Sequence, residues 1–256
     1  MNTLITMIQK DLLEQWRSKK ILIITIVMLF IAISSPIIAK LTPELLKTID
    51  VPGLVIKLPE PTYHDSIDQF VKNISQIGLL VIVFVVSGAI SDEKNRKTLE
   101  ILLTKPVSRI AFVLSKFKSY FFSISAIFIA STVIFYLYTT YVFGNFNMVN
   151  FAILSGNILA YILMIVSITI LASAIVKNSV AAGGIGFVSY ILFGTIFEMI
   201  DSIKKYSPNT IFSNYKAVIS GGWHSDLFWP LVTILAVIAV SVVGAVMIFK
   251  RQEVER

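Results

Sequence analysis

Few residues in this sequence are of types that do covalent, metal or proton chemistry, and their spacing excludes most of it. The 256 residues include no cysteine, so a disulfide framework, a thiolate metal site and a cysteine nucleophile are all ruled out. The histidines are His64 and His224 alone, too few for a histidine metal cluster, and both read as interfacial polar residues. None of the 12 glycines is followed by lysine, so the phosphate-cradling pattern G-x-x-x-x-G-K-[ST] is missing. Gly183, Gly184 and Gly186 invite a nucleotide-loop reading, but the sixth position is Ser189 and no strand precedes them. They read instead as a place where a helix approaches a neighbour closely, with Ala182 and Gly186 as a small-xxx-small pair. Glu198, beside Asp201, is the carboxylate nearest an apolar run; it is either a candidate outer gate or a helix-end residue at an interface.

The elements that would hold these residues are set by composition. Hydrophobic residues make up 56% of the chain and charged residues 14%, where soluble domains carry about 25% charge. With a mean hydropathy of +0.82, a water-soluble globule could not cover its own apolar surface. A helix crosses the hydrocarbon core with about 20 mostly apolar residues. Six runs qualify: 21–39, 74–90 inside a longer helix over 65–90, 119–142, 151–176, 180–200 and 227–249. The fold class is therefore an all-α integral membrane protein forming one domain over 1–256. Trp16, Arg17, Lys19 and Lys20 ahead of the first run could form the basic region of a cleaved signal peptide. The apolar run is too long, and no small-residue cleavage site follows before Pro36, so the helix is read as retained.

Six spans put both termini on one side, and basic residues decide which. With a cytoplasmic N-terminus, fifteen of the 22 lysines and arginines fall inside and seven outside. The positive-inside rule selects that orientation. The net charge of +7 is thereby explained by topology and anionic lipid, with no need of nucleic acid.

Between the runs, residues 1–20 place Leu4, Ile5, Ile8, Leu12 and Trp16 on one helical face and Lys10, Asp11, Glu14 and Arg17 on the other, the pattern of an interfacial helix. Residues 40–64 form an ectoloop; Pro43, Pro52, Pro59 and Pro61 argue against one helix there. Its length leaves open a docking role for an extracytoplasmic partner or substrate. Asp65 is a good N-cap for a second span that begins above the membrane. The segment 91–118 crowds charges of both signs beside an apolar stripe. Thr98–Lys105 can form two helical turns presenting Leu99, Leu102 and Leu103, Pro106 stops them, and Ser108 can cap the third span. Residues 201–229 mix lysines with Tyr206, Tyr215, Trp223 and Trp229, as an aromatic belt would.

An acidic pair, basic residues, Thr98-Leu99-Glu100, two leucines, Pro106-Val107-Ser108-Arg109 and then Ser115-Lys116 resemble the first cytoplasmic loop of the ABC-2 type (type-2) ABC transporter permeases. The N-terminal amphipathic helix and six spans extend the resemblance over nearly the whole chain. Lys97 stands where members often have glycine before the Thr-Leu pair. The resemblance implies a permease subunit of an ATP-driven exporter in the plasma membrane, not itself an enzyme. It implies a coupling helix docked in a groove of an ABC ATPase and assigns that contact to Glu93, Thr98, Leu99, Glu100, Leu103 and Pro106. It further implies two ATPase copies carrying ATP and Mg, no cofactor or metal in this chain, a second permease copy or homologue, and surrounding lipids. The rivals are a secondary carrier or channel, which would want a charge buried in a span, and a membrane-embedded hydrolase, which would want a polar catalytic pair.

Overall fold

Apolar runs bounded by capping residues fold here into helices, and among the described residues into no strand. The structure is a computed structural model that describes residues 3–47, 60–95 and 108–251. Helix α1 (Thr3–Arg17) turns at Ser18 and Lys19 into α2 (Lys20–Lys47). The second long element is α3 (Tyr63–Asn73), a π-helical turn (Ile74–Gly78) and α4 (Leu79–Asn95). There follow α5 (Arg109–Phe143), α6 (Met148–Ile175), α7 (Ser179–Met199), the short α8 (Thr210–Ser213) and α9 (Tyr215–Gly221), and α10 (Phe228–Arg251).

Two local expectations are corrected. The first apolar helix does not end at Ala39: α2 runs through Pro36 and Pro43 to Lys47. Each proline lacks an amide hydrogen, but the residue before it bonds back one turn, Ser35 Oγ to Ile31 O at 2.7 Å and Thr42 Oγ1 to Ile38 O at 2.6 Å. The carbonyls left without an amide donor are those of Ala32 and Ala39, one residue further on, so these hydroxyl bonds do not replace the missing ones; a membrane helix nonetheless tolerates proline within a continuous run. Residues 48–59 of the expected ectoloop lie outside the described residues. The cap of α3 is Thr62, not Asp65. Asp65 is the third helical residue, and its Oδ2 accepts the Thr62 amide at 2.8 Å and hydroxyl at 3.0 Å, closing a capping box.

Ser108 does cap α5, its Oγ accepting the Ala111 amide at 3.1 Å. Asn147 and Asn178 cap α6 and α7 in the same way. At 35 residues α5 is about 52 Å long, well beyond a hydrocarbon core of about 30 Å, and its charged residues, Arg109, Lys116 and Lys118, all lie in its first three turns. Among the described residues, five helical segments are long and apolar enough to cross a membrane: Lys20–Glu44, Tyr63–Asn95, Arg109–Phe143, Met148–Ile175 and Ser225–Arg251. The fifth expected span, 180–200, corresponds to α7, whose apolar stretch Ser179–Gly194 is shorter.

Helix α6 is the centre, packed by α4, α5, α7 and α10. Gly183 and Gly186 allow the close approach of α7: a Cβ at Gly186 would stand 2.5 Å from Thr169 Oγ1, and one at Gly183 would stand 3.1 Å from the Phe84 ring. Without a hydrophobic force between helices in lipid, such close packing carries the association.

Candidate functional site

Three elements converge at the N-terminal end of the bundle: α1, the last turn of α4 and the first turns of α5. Met7, Asp11 and Gln15, four residues apart, form the buried face of α1. Ser115, Ser119 and Ser123 repeat the same spacing on α5 and meet it. Ser115 Oγ donates to Asp11 Oδ2 at 2.6 Å, Gln15 Nε2 donates to Ser119 Oγ at 3.1 Å, and Ser123 Oγ donates to Gln15 Oε1 at 2.8 Å.

Lys116 stands at the hub. Its side chain is only 4% exposed, and Nζ lies 2.5 Å from Glu93 Oε1, 2.9 Å from Asp11 Oδ1 and 3.4 Å from Glu14 Oε2. Lys10 reaches the same Glu93 oxygen at 2.7 Å and Glu14 at 3.3 Å, while Lys20 pairs with Asp92 at 3.1 Å. Buried charges are costly unless every one has partners, so an ammonium shared by three carboxylates holds these helices in one arrangement. Asp11, Glu14 and Glu93 lie close enough together to hold a metal ion, but the Lys116 ammonium sits among them as the resident cation. A water-sized cavity of about 10 Å³ adjoins it, lined by Asp11, Glu14, Gln15, Lys20, Lys116 and Tyr120 among others.

The network also shifts protonation on α1. Burial and the Lys116 charge oppose protonation of Lys10, but Glu93 and Asp11 outweigh them and hold its ammonium above the ordinary lysine range. Burial would raise Glu14; Lys116 and Lys10 win and hold its carboxyl below the ordinary range.

Helix α4 is fixed from its other side too. Ser173 Oγ of α6 accepts the backbone amides of Ile90 at 3.0 Å and Ser91 at 2.9 Å. Gly88 leaves room for Asp92 to fold back toward Lys20, since a Cβ at Gly88 would fall 2.0 Å from Asp92 Oδ2.

Of the residues assigned to the coupling segment, Glu93 is buried in this cluster. Thr98, Leu99, Glu100, Leu103 and Pro106 lie outside the described residues, as does the side chain of Glu198. On α1, Ile5 and Trp16 are exposed and Leu4, Ile8 and Leu12 half-buried. The apolar face thus turns largely away from the bundle, while a polar stripe packs onto α5. Composition and charge counting gave no hint of Lys116 as a buried hub. The available signal was the pair of matching stripes, Met7-x₃-Asp11-x₃-Gln15 and Ser115-x₃-Ser119-x₃-Ser123.

The opposite end of the bundle is built mainly from rings, with a more exposed ion pair on α3, Lys72 Nζ to Asp68 Oδ2 at 3.0 Å. Tyr63 stacks on Phe146 at 5.2 Å and Phe70 on Phe135 at 4.0 Å, and Phe151 joins them. Tyr215 of α9 donates its hydroxyl to Asp68 of α3 at 2.5 Å; burial and that bond push the phenol above its ordinary range. Asn150 Nδ2 donates to Ile219 O at 3.0 Å, and His224 Nε2 lies 3.1 Å from Ala217 O, so both meet carbonyls in the last turns of α9. His64 rests against the Tyr63 ring, 4.2 Å between centroids.

A family profile described as ABC-2 family transporter protein matches residues 5–254. The chain is also 23% identical over 258 residues to a protein of Bacillus subtilis (strain 168) described as the uncharacterized transmembrane protein YxlG, with 99% of each chain covered. The chain belongs to the ABC-2 transporter family and is a membrane protein of that family, whose permeases pair with an ABC ATPase.

Proposed function

We propose that this chain is the six-span permease subunit of an ATP-driven exporter in the plasma membrane, with both termini cytoplasmic, working as two copies or with a homologue beside two ATPase subunits that carry ATP and Mg. In this reading α7 is also a crossing, the fifth of the six. Residues 96–107 hold the coupling helix, and Leu99 and Leu103 seat in the ATPase while Thr98, Glu100 and Pro106 shape the contact.

The observation that carries the reading is the Glu93–Lys116 pair. Glu93 stands three residues before the 96–107 segment and Lys116 nine after it, and Asp11 ties both to α1. A force applied to the segment would reach α4, α5 and α1 together instead of being lost in a flexible loop. Glu93 then acts in coupling as a positioning residue behind the contact.

The test is copurification. Leu99→Asp with Leu103→Asp should leave insertion intact and abolish recovery of the ATPase, because each buried leucine is worth about 1.5 to 3 kcal/mol and a desolvated carboxylate adds a penalty. Wild-type recovery and transport in that variant would refute the coupling assignment. Orientation is tested separately. Cysteines placed at Lys57 and Lys216 should label with an impermeant thiol reagent in intact cells, and one at Arg96 should not.

A further inference from the structure

The lipid-facing side of α1 leaves a feature that coupling does not use. Lys10, Leu13, Glu14, Arg17 and Ser18 line a shallow surface depression of about 560 Å³ beside the junction of α1 and α2. Arg17 and Leu13 line it and are exposed, Leu13 at 57%; in the adjoining turn Lys19 is exposed and its amide donates to the carbonyl of Trp16, whose ring is 70% exposed. Lys19 has φ of 61°, the left-handed region, at the position after a helix where glycine or asparagine is the usual occupant. The strain of holding a lysine there places a third cation beside Arg17 and Lys20 at the membrane boundary. The half-exposed Glu14 carboxylate lies 3.3 Å from Lys10 Nζ and 3.4 Å from Lys116 Nζ, which balance its charge within the depression.

We infer that this depression binds the phosphodiester headgroup of an anionic phospholipid, with Arg17 and Lys19 on the phosphate and Leu13 and Trp16 along the start of the acyl chains. A guanidinium matches phosphate oxygens with two parallel bonds, an ammonium adds a point charge, and an exposed tryptophan belongs at headgroup depth. The inference rests on the chain being a membrane protein and stands apart from ATPase coupling.

The test is native mass spectrometry of the full-length permease alone in detergent with equimolar phosphatidylglycerol and phosphatidylcholine. The wild type should retain phosphatidylglycerol in preference, and the double variant Arg17→Gln, Lys19→Gly should bind it about 30-fold more weakly, from roughly fivefold per surface cation. Lys19→Gly alone relieves the left-handed strain, so its thermal midpoint should rise while lipid retention falls; a purely structural lysine would not move the two in opposite directions. Unchanged retention in the double variant, equal retention of phosphatidylcholine, or displacement of the lipid by millimolar inorganic phosphate would each overturn the proposal, the last by making it a free-anion site.

Discussion

The two ends of this bundle solve the same problem, tying loosely connected helices together, with opposite chemistry. At the N-terminal end, three lysines and four carboxylates interlock, with Lys116 and Asp11 nearly inaccessible. At the other end, aromatic rings stack and a tyrosine donates to Asp68. The difference teaches where a rigid geometry is being enforced. A buried charge network is favourable only when complete, so it tolerates one arrangement, whereas stacked rings can slide by fractions of an ångström at small cost. The stiff end is the one that flanks residues 96–107. The compliant end is the one whose short helices α8 and α9 pack on α6.

The sharpest way to break this contrast is to remove the hub. Lys116→Met should destabilise the purified protein by about 3 kcal/mol, because it takes the buried cation from Asp11 and Glu93 and leaves them only the half-exposed Lys10. The triple variant with Asp11→Asn and Glu93→Gln should recover much of that loss. Thermal unfolding in detergent reads both, and a single variant as stable as wild type would mean the cluster is well hydrated.

At the other end the effect should be smaller. Tyr215→Phe deletes one hydrogen bond to a charged acceptor, worth about 1.5 to 3 kcal/mol, and leaves the ring packing in place. Smaller again is Ser123→Ala, which takes one of the two serine partners from the buried Gln15 side chain and should cost about 1 kcal/mol. A loss at Tyr215→Phe exceeding that at Lys116→Met would reverse the assignment of stiff and compliant ends.

Titration separates the ends with the least perturbation. The Glu14 carboxyl is depressed in the folded protein, so its contribution is present above the ordinary glutamate value and is lost as pH falls through the depressed one. The Tyr215 hydroxyl is raised, so its contribution is complete below the ordinary phenol value near 10 and is lost as pH climbs through the raised one. A stability profile against pH should therefore lose part of its acid limb in Glu14→Gln and part of its alkaline limb in Tyr215→Phe.

Local chemistry was legible from the chain alone. The apolar runs, the cap at Ser108 and the glycines that bring α7 close are set by residues within a turn of one another, and so is the amphipathic character of α1. The sequence also excluded nucleotide binding through a P-loop and thiol chemistry, because those need residue types that it lacks. Tertiary structure decided the rest. Pro43 looked like part of a loop, yet α2 continues through it to Lys47, and the π-helical turn at Ile74–Gly78 has no signature in periodicity. Above all, a lysine 105 residues from an aspartate reads as two surface charges until α1 lies along α5. Whether a charge is solvated or buried depends on what packs over it, and no pattern on either helix alone contains that information.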